Sequence, residues 1–134
     1  MNVELLKKVA TKLKRMRHKK HFDMRDWAKK TDCGTAACIA GHVLLGEGYK
    51  LKFEPHPYSP KFISPKGHLV DPEIAARRIL KLSEGQAERL FKAMQWPGKF
   101  GGGWARYNDR NPKFNNPKVA AARIEHFIAT KGKE

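Results

Sequence analysis

The least polar stretch of the chain reads Asp32-Cys33-Gly34-Thr35-Ala36-Ala37-Cys38-Ile39-Ala40-Gly41-His42-Val43-Leu44-Leu45. From Ala36 onward almost every side chain is small or apolar, which predicts a buried helix ended by Gly46 and Gly48. Thr35 is the expected cap of this helix. Gly41, which lacks a side chain, is expected to admit a second helix that crosses closely over the first.

Four other segments around this stretch carry helix signals. Val3, Leu6, Ala10 and Leu13 recur at helical spacing and predict an amphipathic helix over residues 2–17. The remaining three segments begin at local start signals, namely an N-cap followed by proline or a capping box. These signals are Asp71-Pro72-Glu73, Ser83-Glu84-Gly85-Gln86 and Asn116-Pro117.

The segments between the helices predict loops and one short strand. Residues 49–53 alternate apolar and polar side chains, as a strand does. Four prolines within residues 54–67 exclude helix and central strand there, and residues 100–116 form a second long loop. The predicted fold is mainly α, one compact domain over residues 1–134 of about five helices, with room for a small two- or three-stranded sheet. Residues 131–134 are expected to fray.

The charge of the chain is strongly positive and unevenly distributed. Twenty-eight Lys and Arg face thirteen Asp and Glu, for a formal net charge of +15. Residues 1–30 hold eleven Lys or Arg and three Asp or Glu, a net of +8, so over half of the excess lies on less than a quarter of the chain. An excess of this kind favours a polyanionic partner.

Nucleic acid is the expected polyanion, bound through its phosphate backbone with little sequence specificity. The basic side of the N-terminal helix and the residues after it would carry the contacts. A second loop, residues 100–107, adds aromatic rings that could stack on unpaired bases or simply fill the edge of the core. The predicted binding residues are Lys7, Lys8, Lys12, Lys14, Arg15, Arg17, Lys19, Lys20, Trp104, Arg106 and Tyr107. The alternative is an accessory protein that uses the same face on an acidic host protein.

The cysteines offer a second alternative, a Cys33-dependent hydrolase. Cys33 is predicted to precede a helix directly, where backbone N–H groups and the helix dipole favour the thiolate. Such an enzyme needs a histidine near the sulfur and a carboxylate to orient it. The candidate bases are His42, His56, His68 and His126, and the candidate carboxylates are Asp32 and Glu125.

The same segment permits a metal site or plain packing. Cys38 and His42 lie four residues apart on one predicted helical face, and Cys33 with His18 or His21 would complete a tetrahedral zinc set. The third interpretation is that Cys38 packs as a small hydrophobe and that the histidines are structural. We favour the third interpretation, and no cofactor or resident metal is expected.

The motif Cys33-Gly34-Thr35-Ala36-Ala37-Cys38-Ile39-Ala40-Gly41-His42 resembles that of an uncharacterised family of small bacterial and phage proteins. Members of that family also have an upstream Met and Trp, here Met24 and Trp27. They have a helix like that of residues 82–91 before a Trp-Pro, and a closing segment like residues 123–128. The resemblance implies a shared fold and a bacterial or phage setting, and it supplies no catalytic assignment.

The sequence also limits where the protein acts. Lysines interrupt the first seventeen residues, so the N-terminus does not read as a signal peptide. No apolar run approaches the length of a membrane span, and two cysteines do not form a disulfide framework. The expected location is the cytoplasm of a bacterium or of a phage-infected host cell.

Overall fold

The structure is a computed structural model that describes residues 1–17, 19–31, 34–52, 61–107 and 109–134. In the described part of the chain, five α-helices have eight or more residues and one has four. The helices are α1 Val3–Arg15, α2 Ile39–Gly46, α3 Pro72–Leu80, α4 Glu84–Phe91, α5 Trp104–Tyr107 and α6 Pro117–Ala129. The strands are β1 Ala28–Thr31, β2 Gly34–Ala37, β3 Lys50–Lys52, β4 Lys61–Ile63 and β5 Leu69–Val70. Four short 3-10 turns join them, at Lys19–His21, Ala93–Gln95, Gly98–Phe100 and Lys113–Asn115. The predicted fold class, mainly helical with a small sheet component, is confirmed.

The helix predicted from apolar periodicity and the three predicted from local start signals are present. Asn2 caps α1, its Oδ1 accepting from Leu5 N at 3.1 Å, and α1 packs its apolar stripe against α6. Asp71 caps α3, and Ser83 and Gln86 form the predicted capping box of α4. Asn116 caps α6 before a proline at the first helical position. These signals act within one turn of the chain, so the sequence alone specifies them.

The prediction of one helix from Ala36 to Leu45 is wrong in its first part. Residues 34–37 form β2, which pairs antiparallel with β1, and the helix begins only at Ile39. Cys38, with extended dihedrals, is the N-cap residue of α2, so Thr35 does not cap it. The reason is that β1 supplies a hydrogen-bonding partner for this segment, which local propensity does not register.

Another part of the backbone packs closely against Gly41, but it is the segment before β1 and not the crossing helix that was predicted. A Cβ built on Gly41 would lie 1.9 Å from the carbonyl oxygen of Trp27, just before β1, and 2.8 Å from the Cβ of Ala37. The carbonyl of Trp27 therefore occupies the space that a side chain at residue 41 would need. This close approach seats the β1–β2 hairpin directly on α2.

The second sheet has the order β3-β4-β5, with both pairs antiparallel. The strand predicted at residues 49–53 is confirmed as β3. The loop predicted over residues 54–67 is wrong for Lys61–Ile63, which form the central strand and bury Phe62 completely. No proline lies within these three residues, so the objection to a central strand does not apply there. Residue 53 of the predicted strand and residues 54–60 of the predicted loop lie outside the described residues.

The two C-terminal segments are more ordered than predicted. Residues 100–116 contain α5 and one 3-10 turn, with Phe114 fully buried. Residues 131–134 are held rather than frayed, since Gln86 Nε2 donates to Lys131 O at 3.2 Å and Arg89 Nε donates to Gly132 O at 3.1 Å. Across the described ranges, no helix is both long and apolar enough to cross a membrane.

The contact at Gly41 gives a stability prediction. Gly41→Ala should lower the free energy of unfolding by about 3 kcal/mol, because the new methyl group overlaps the Trp27 carbonyl and the hairpin must shift. The matched control is Gly46→Ala in the same helix, where an added Cβ meets nothing within 4 Å. That variant should be neutral or stabilising by up to about 1 kcal/mol in urea denaturation. Equal effects of the two substitutions would contradict the role assigned to Gly41.

Candidate nucleic-acid interface

The exposed side of α1 carries a row of cations, as predicted. Its buried residues, among them Leu6, Val9 and Leu13, form one stripe, which leaves the opposite side in solvent. Lys8, Lys12 and Arg15 are all exposed. They are spaced four and three residues apart, so they lie along one edge of the helix over about 10 Å. They border one shallow groove with Thr11 and Met16.

Most of the predicted binding cations are free to meet a ligand. Within the described residues, the side chains of seven of them make no hydrogen bond or ion pair: Lys7, Lys8, Lys12, Arg15, Arg17, Lys19 and Lys20. Lys14 differs, because its ammonium pairs with the Glu125 carboxylate of α6. Both side chains are half exposed. The pair therefore compensates the charge of Lys14, but it leaves the rest of the exposed face of α1 accessible.

The 3-10 turn Lys19–His21 is fixed to α2 beside this row. His42 Nε2 lies 3.0 Å from His21 O, and the His42 ring stacks in parallel on that of buried Phe22, with the ring centres 6.1 Å apart. The charge of Lys12 also acts on His42. The turn contacts His42, and the Lys12 charge is near enough to add to the effect of burial in lowering the His42 pKa, so we treat the turn as an extension of the cationic edge of α1. We call Lys8, Lys12, Arg15, Lys19 and Lys20 together the basic surface.

Next to the turn lies an open cavity of about 340 Å³, the lysine pocket. Lys19, Lys20 and Lys29 line it together with Phe22, Asp23, Thr31 and Ala36. Lys29 is not among the predicted binding residues. The sequence feature that indicates a role for Lys29 is the mixture of Asp and basic residues between Asp23 and Lys30. Which of these charges pair with one another is determined by the fold.

Asp23 is the buried anion at the base of this region. Its carboxylate accepts from Lys29 Nζ at 2.5 Å, Arg25 N at 3.0 Å, Arg25 Nε at 3.3 Å and Asn115 Nδ2 at 3.0 Å. Burial alone would raise the pKa of Asp23, but the hydrogen bonds from Lys29 and Arg25 outweigh it and hold the pKa below its usual value. The carboxylate is therefore charged at neutral pH, and it anchors residues 23–29 to the turn before α6.

The predicted aromatic loop divides into two kinds of residue. Tyr107 is partly buried and stacks on Phe114, with ring centres 5.7 Å apart, so it fills the edge of the core. Trp104 is 75% exposed, the largest exposure of any bulky apolar side chain in the described residues. Arg106 is exposed and donates from Nη1 to Gly98 O at 3.2 Å. Of the predicted stacking residues, Trp104 alone is presented to solvent.

Cys38 and His42, the predicted metal pair, are both buried and engaged elsewhere. The Cys38 thiol lies 3.8 Å from Trp27 O, to which it donates, and burial raises the pKa of Cys38 to about 12. A carbonyl oxygen only accepts, so His42 Nε2 is the protonated nitrogen that donates to His21 O. No described residue partners His42 Nδ1. Burial and the Lys12 charge lower the pKa of His42 to about 4, so the ring is neutral at pH 7.

The remaining chemistry predicted for this segment lacks an assembled site in the described residues. No group of three or more His, Cys, Asp or Glu side chains there could hold a metal ion. Cys33, Asp32, His18 and His56 lie outside the described residues. The nucleophile interpretation requires a helix that begins directly after residue 33. The helix begins only at Ile39, so this requirement is not met. His126 pairs with Glu134 on the surface, at 2.7 Å.

Comparisons with protein-family models, with curated proteins and with solved structures found no match for this chain. The resemblance of the Cys-Gly-Thr motif to small bacterial and phage proteins therefore stays a prediction.

The neutral state of His42 predicts a dependence of stability on pH. Above pH 6.5 the imidazole is neutral in both the folded and the unfolded chain. Between pH 6.5 and about 4 the unfolded chain binds a proton that the folded chain excludes, so stability falls as the pH falls. The expected loss over this window is about 3 kcal/mol. Urea denaturation at several pH values measures it.

The variant for this test is His42→Gln, which keeps an N–H donor toward His21 O. Its free energy of unfolding should change less over the same pH window. Equal pH dependence in the two proteins would show that other groups cause the loss.

Burial of Cys38 predicts an inert thiol. In the folded protein at neutral pH, iodoacetamide should leave Cys38 unmodified, because thiolate is scarce and access is closed. In guanidinium chloride the same residue should react, and peptide mass mapping distinguishes it from Cys33. Rapid labelling of Cys38 without denaturant would contradict the packing. Selective labelling of Cys33 would support the hydrolase alternative, and an inert Cys33 would remove it.

Proposed function

We propose that the protein binds nucleic acid through the phosphate backbone, with little sequence specificity. The observation that carries this proposal is the basic surface, five exposed cations on α1 and the adjoining turn that have no partner within the described residues. The formal net charge of +15 supports it. Cations of this kind displace the counterions condensed on phosphates, and the release of those ions drives binding.

The chemistry of the surface explains the expected lack of specificity. Four of its five residues are lysines, which act as compact point charges toward phosphates. Phosphate contacts position a protein on a strand but do not read its bases. Arg15 is the one member with the planar, bidentate geometry that reads guanine edges, and one such residue does not specify a sequence.

The position of the surface favours contact with a long polyanion. The α1 row spans about 10 Å along the helix, and the Lys19–His21 turn extends it toward the lysine pocket. Apart from Glu4 in the first turn of α1, the described exposed residues between Val3 and Lys20 include no acidic side chain. Little on this surface would therefore repel a phosphate backbone.

The salt dependence of binding tests the proposal. If about five phosphates are neutralised, the logarithm of the affinity for duplex DNA should fall with log salt at a slope of about −4 to −5. The variant Lys8→Gln/Lys12→Gln/Arg15→Gln should lose about 2 to 3 of that slope, because it removes three phosphate contacts. Glutamine preserves helix propensity, so α1 should remain folded.

The matched control removes three exposed cations elsewhere, in Lys66→Gln/Arg78→Gln/Lys118→Gln. It has the same net charge as the first variant and should keep the wild-type slope. Equal losses in the two variants would show that binding reflects only total charge. If wild-type binding disappears by physiological salt, the proposal fails and an acidic host protein becomes the partner to seek.

A further inference from the structure

A second, smaller cavity lies at the C-terminal end of α4, and residues 24, 25 and 27 contribute to its lining as residues 22, 23 and 29 do to that of the lysine pocket. The volume of this second cavity is about 150 Å³. Met24, Trp27, Phe91, Met94 and Tyr107 supply most of its apolar wall. We call it the aromatic cavity. Its residues come from the connector before β1, from α4, from the turn after α4 and from α5.

The rings of this wall are held in place by their neighbours. Trp27 meets Phe91 edge to face, with ring centres 6.4 Å apart and planes at 83°. Tyr107 rests on Phe114, which is fully buried. The buried Cys38 thiol forms part of the lining and is uncharged at neutral pH. Because the cavity walls are already ordered, a flat ligand would enter without a large ordering cost.

The size and charge of the cavity limit the ligand that fits. A cavity of about 150 Å³ is the size that admits a single benzene ring in an engineered protein core. Arg25 and Lys92 also line it, and their side chains are 39% and 38% exposed. Arg25 Nε pairs with Asp23 and Lys92 Nζ pairs with Glu88, and each side chain carries further N–H groups beyond that bond. A ligand with one six-membered ring attached to negatively charged groups matches this combination of apolar wall and cationic rim.

Trp104 adds a second aromatic surface near the cavity. It lies three residues before Tyr107 in α5, within one helical turn of a residue that lines the cavity. A tryptophan that is 75% exposed buries little of its apolar area in the folded chain. Exposed aromatic rings of this kind are the platforms on which unpaired bases stack.

The aromatic cavity is also connected to the lysine pocket through one carboxylate. Asp23 accepts hydrogen bonds from Arg25, which lines the aromatic cavity, and from Lys29, which lines the lysine pocket. The two concave sites are therefore neighbours across residues 23–29.

We propose that the aromatic cavity and Trp104 accept one unpaired pyrimidine base of a single-stranded nucleic acid. This inference rests on the proposed function and adds a preference for single strands to it. The cavity volume favours the single ring of a pyrimidine over the fused rings of a purine. Stacking supplies affinity, while the remaining N–H groups of Arg25 and Lys92 donate to the phosphates on either side of the base.

The test compares labelled oligo(dT), oligo(dA) and a mixed-sequence duplex of equal length at one salt concentration. The wild type should bind oligo(dT) more tightly than the other two. Trp104→Ala should weaken oligo(dT) binding about tenfold and leave duplex affinity and the salt slope unchanged. The control is Leu69→Ala, which truncates another exposed apolar residue, 52% exposed, and should change nothing.

A second variant, Ala93→Leu, fills the cavity from its wall and should abolish the preference for oligo(dT) over oligo(dA). Circular dichroism checks whether this variant folds. If it does not, the effect of Trp104→Ala on oligo(dT) binding tests the inference by itself. Equal binding of single strands and duplex, or an unaffected Trp104→Ala, overturns this inference and leaves the phosphate-binding proposal standing.

Two further results separate the sources of the ligand. If neither strand type binds near physiological salt, the proposed function and this inference fail together. If thymidine monophosphate alone binds as tightly as oligo(dT) and is equally sensitive to Trp104→Ala, the cavity serves a free nucleotide and the single-strand assignment is overturned.

Discussion

The close approach of the Trp27 carbonyl to Gly41 is the constraint on which the candidate sites depend. A hydrogen atom at residue 41 is all that fits there, so the β1–β2 hairpin lies directly on α2. Cys38 then reaches back to the same segment, its N–H donating to Asp26 O at 3.2 Å and its thiol to Trp27 O. The absence of a side chain at residue 41 therefore helps to position Trp27 and Cys38, which line the aromatic cavity. The segment that leads back to Lys19 and Lys20 is held by other bonds, from Asp23 N to Ala37 O and between His42 Nε2 and His21 O.

Three buried polar side chains differ in their charge and in how that charge is compensated. His42 remains neutral, and Asp23 is matched by two cations. Arg123 is different. It is fully buried, donates from Nη2 to Arg89 O at 2.9 Å, and has two N–H-bearing nitrogens without a partner in the described residues. The rings of Phe100 and Phe127 face its guanidinium, and burial lowers the pKa of Arg123 to about 10, so it stays charged at pH 7. Positive charge thus extends into the core, where aromatic rings rather than a carboxylate face it.

Features that depend on contacts between residues close in sequence could be predicted, and features that depend on contacts between distant residues could not. Asn2, Asp71, Ser83 and Asn116 cap helices through contacts within three residues, and those helices were predicted. The β1–β2 hairpin was not, because residues 34–37 are small and carry no period that distinguishes strand from helix. The exposed cations of α1 follow from its periodicity. The aromatic cavity does not, since Met24, Phe91 and Tyr107 are brought together only by the tertiary fold.

The two proposed contacts differ in physical origin, and the fold places them on different elements. Phosphate binding on α1 and its adjoining turn is electrostatic and weakens with salt, whereas base stacking at α4 and α5 is largely insensitive to it. Asp23 joins them, since it orients Arg25 toward one cavity and Lys29 toward the other. A change at Asp23 would therefore disturb both contacts at once, while changes at Lys12 and at Trp104, which share no partner, should act independently. Non-additive effects of the latter pair would mean that the bound strand itself couples the two surfaces.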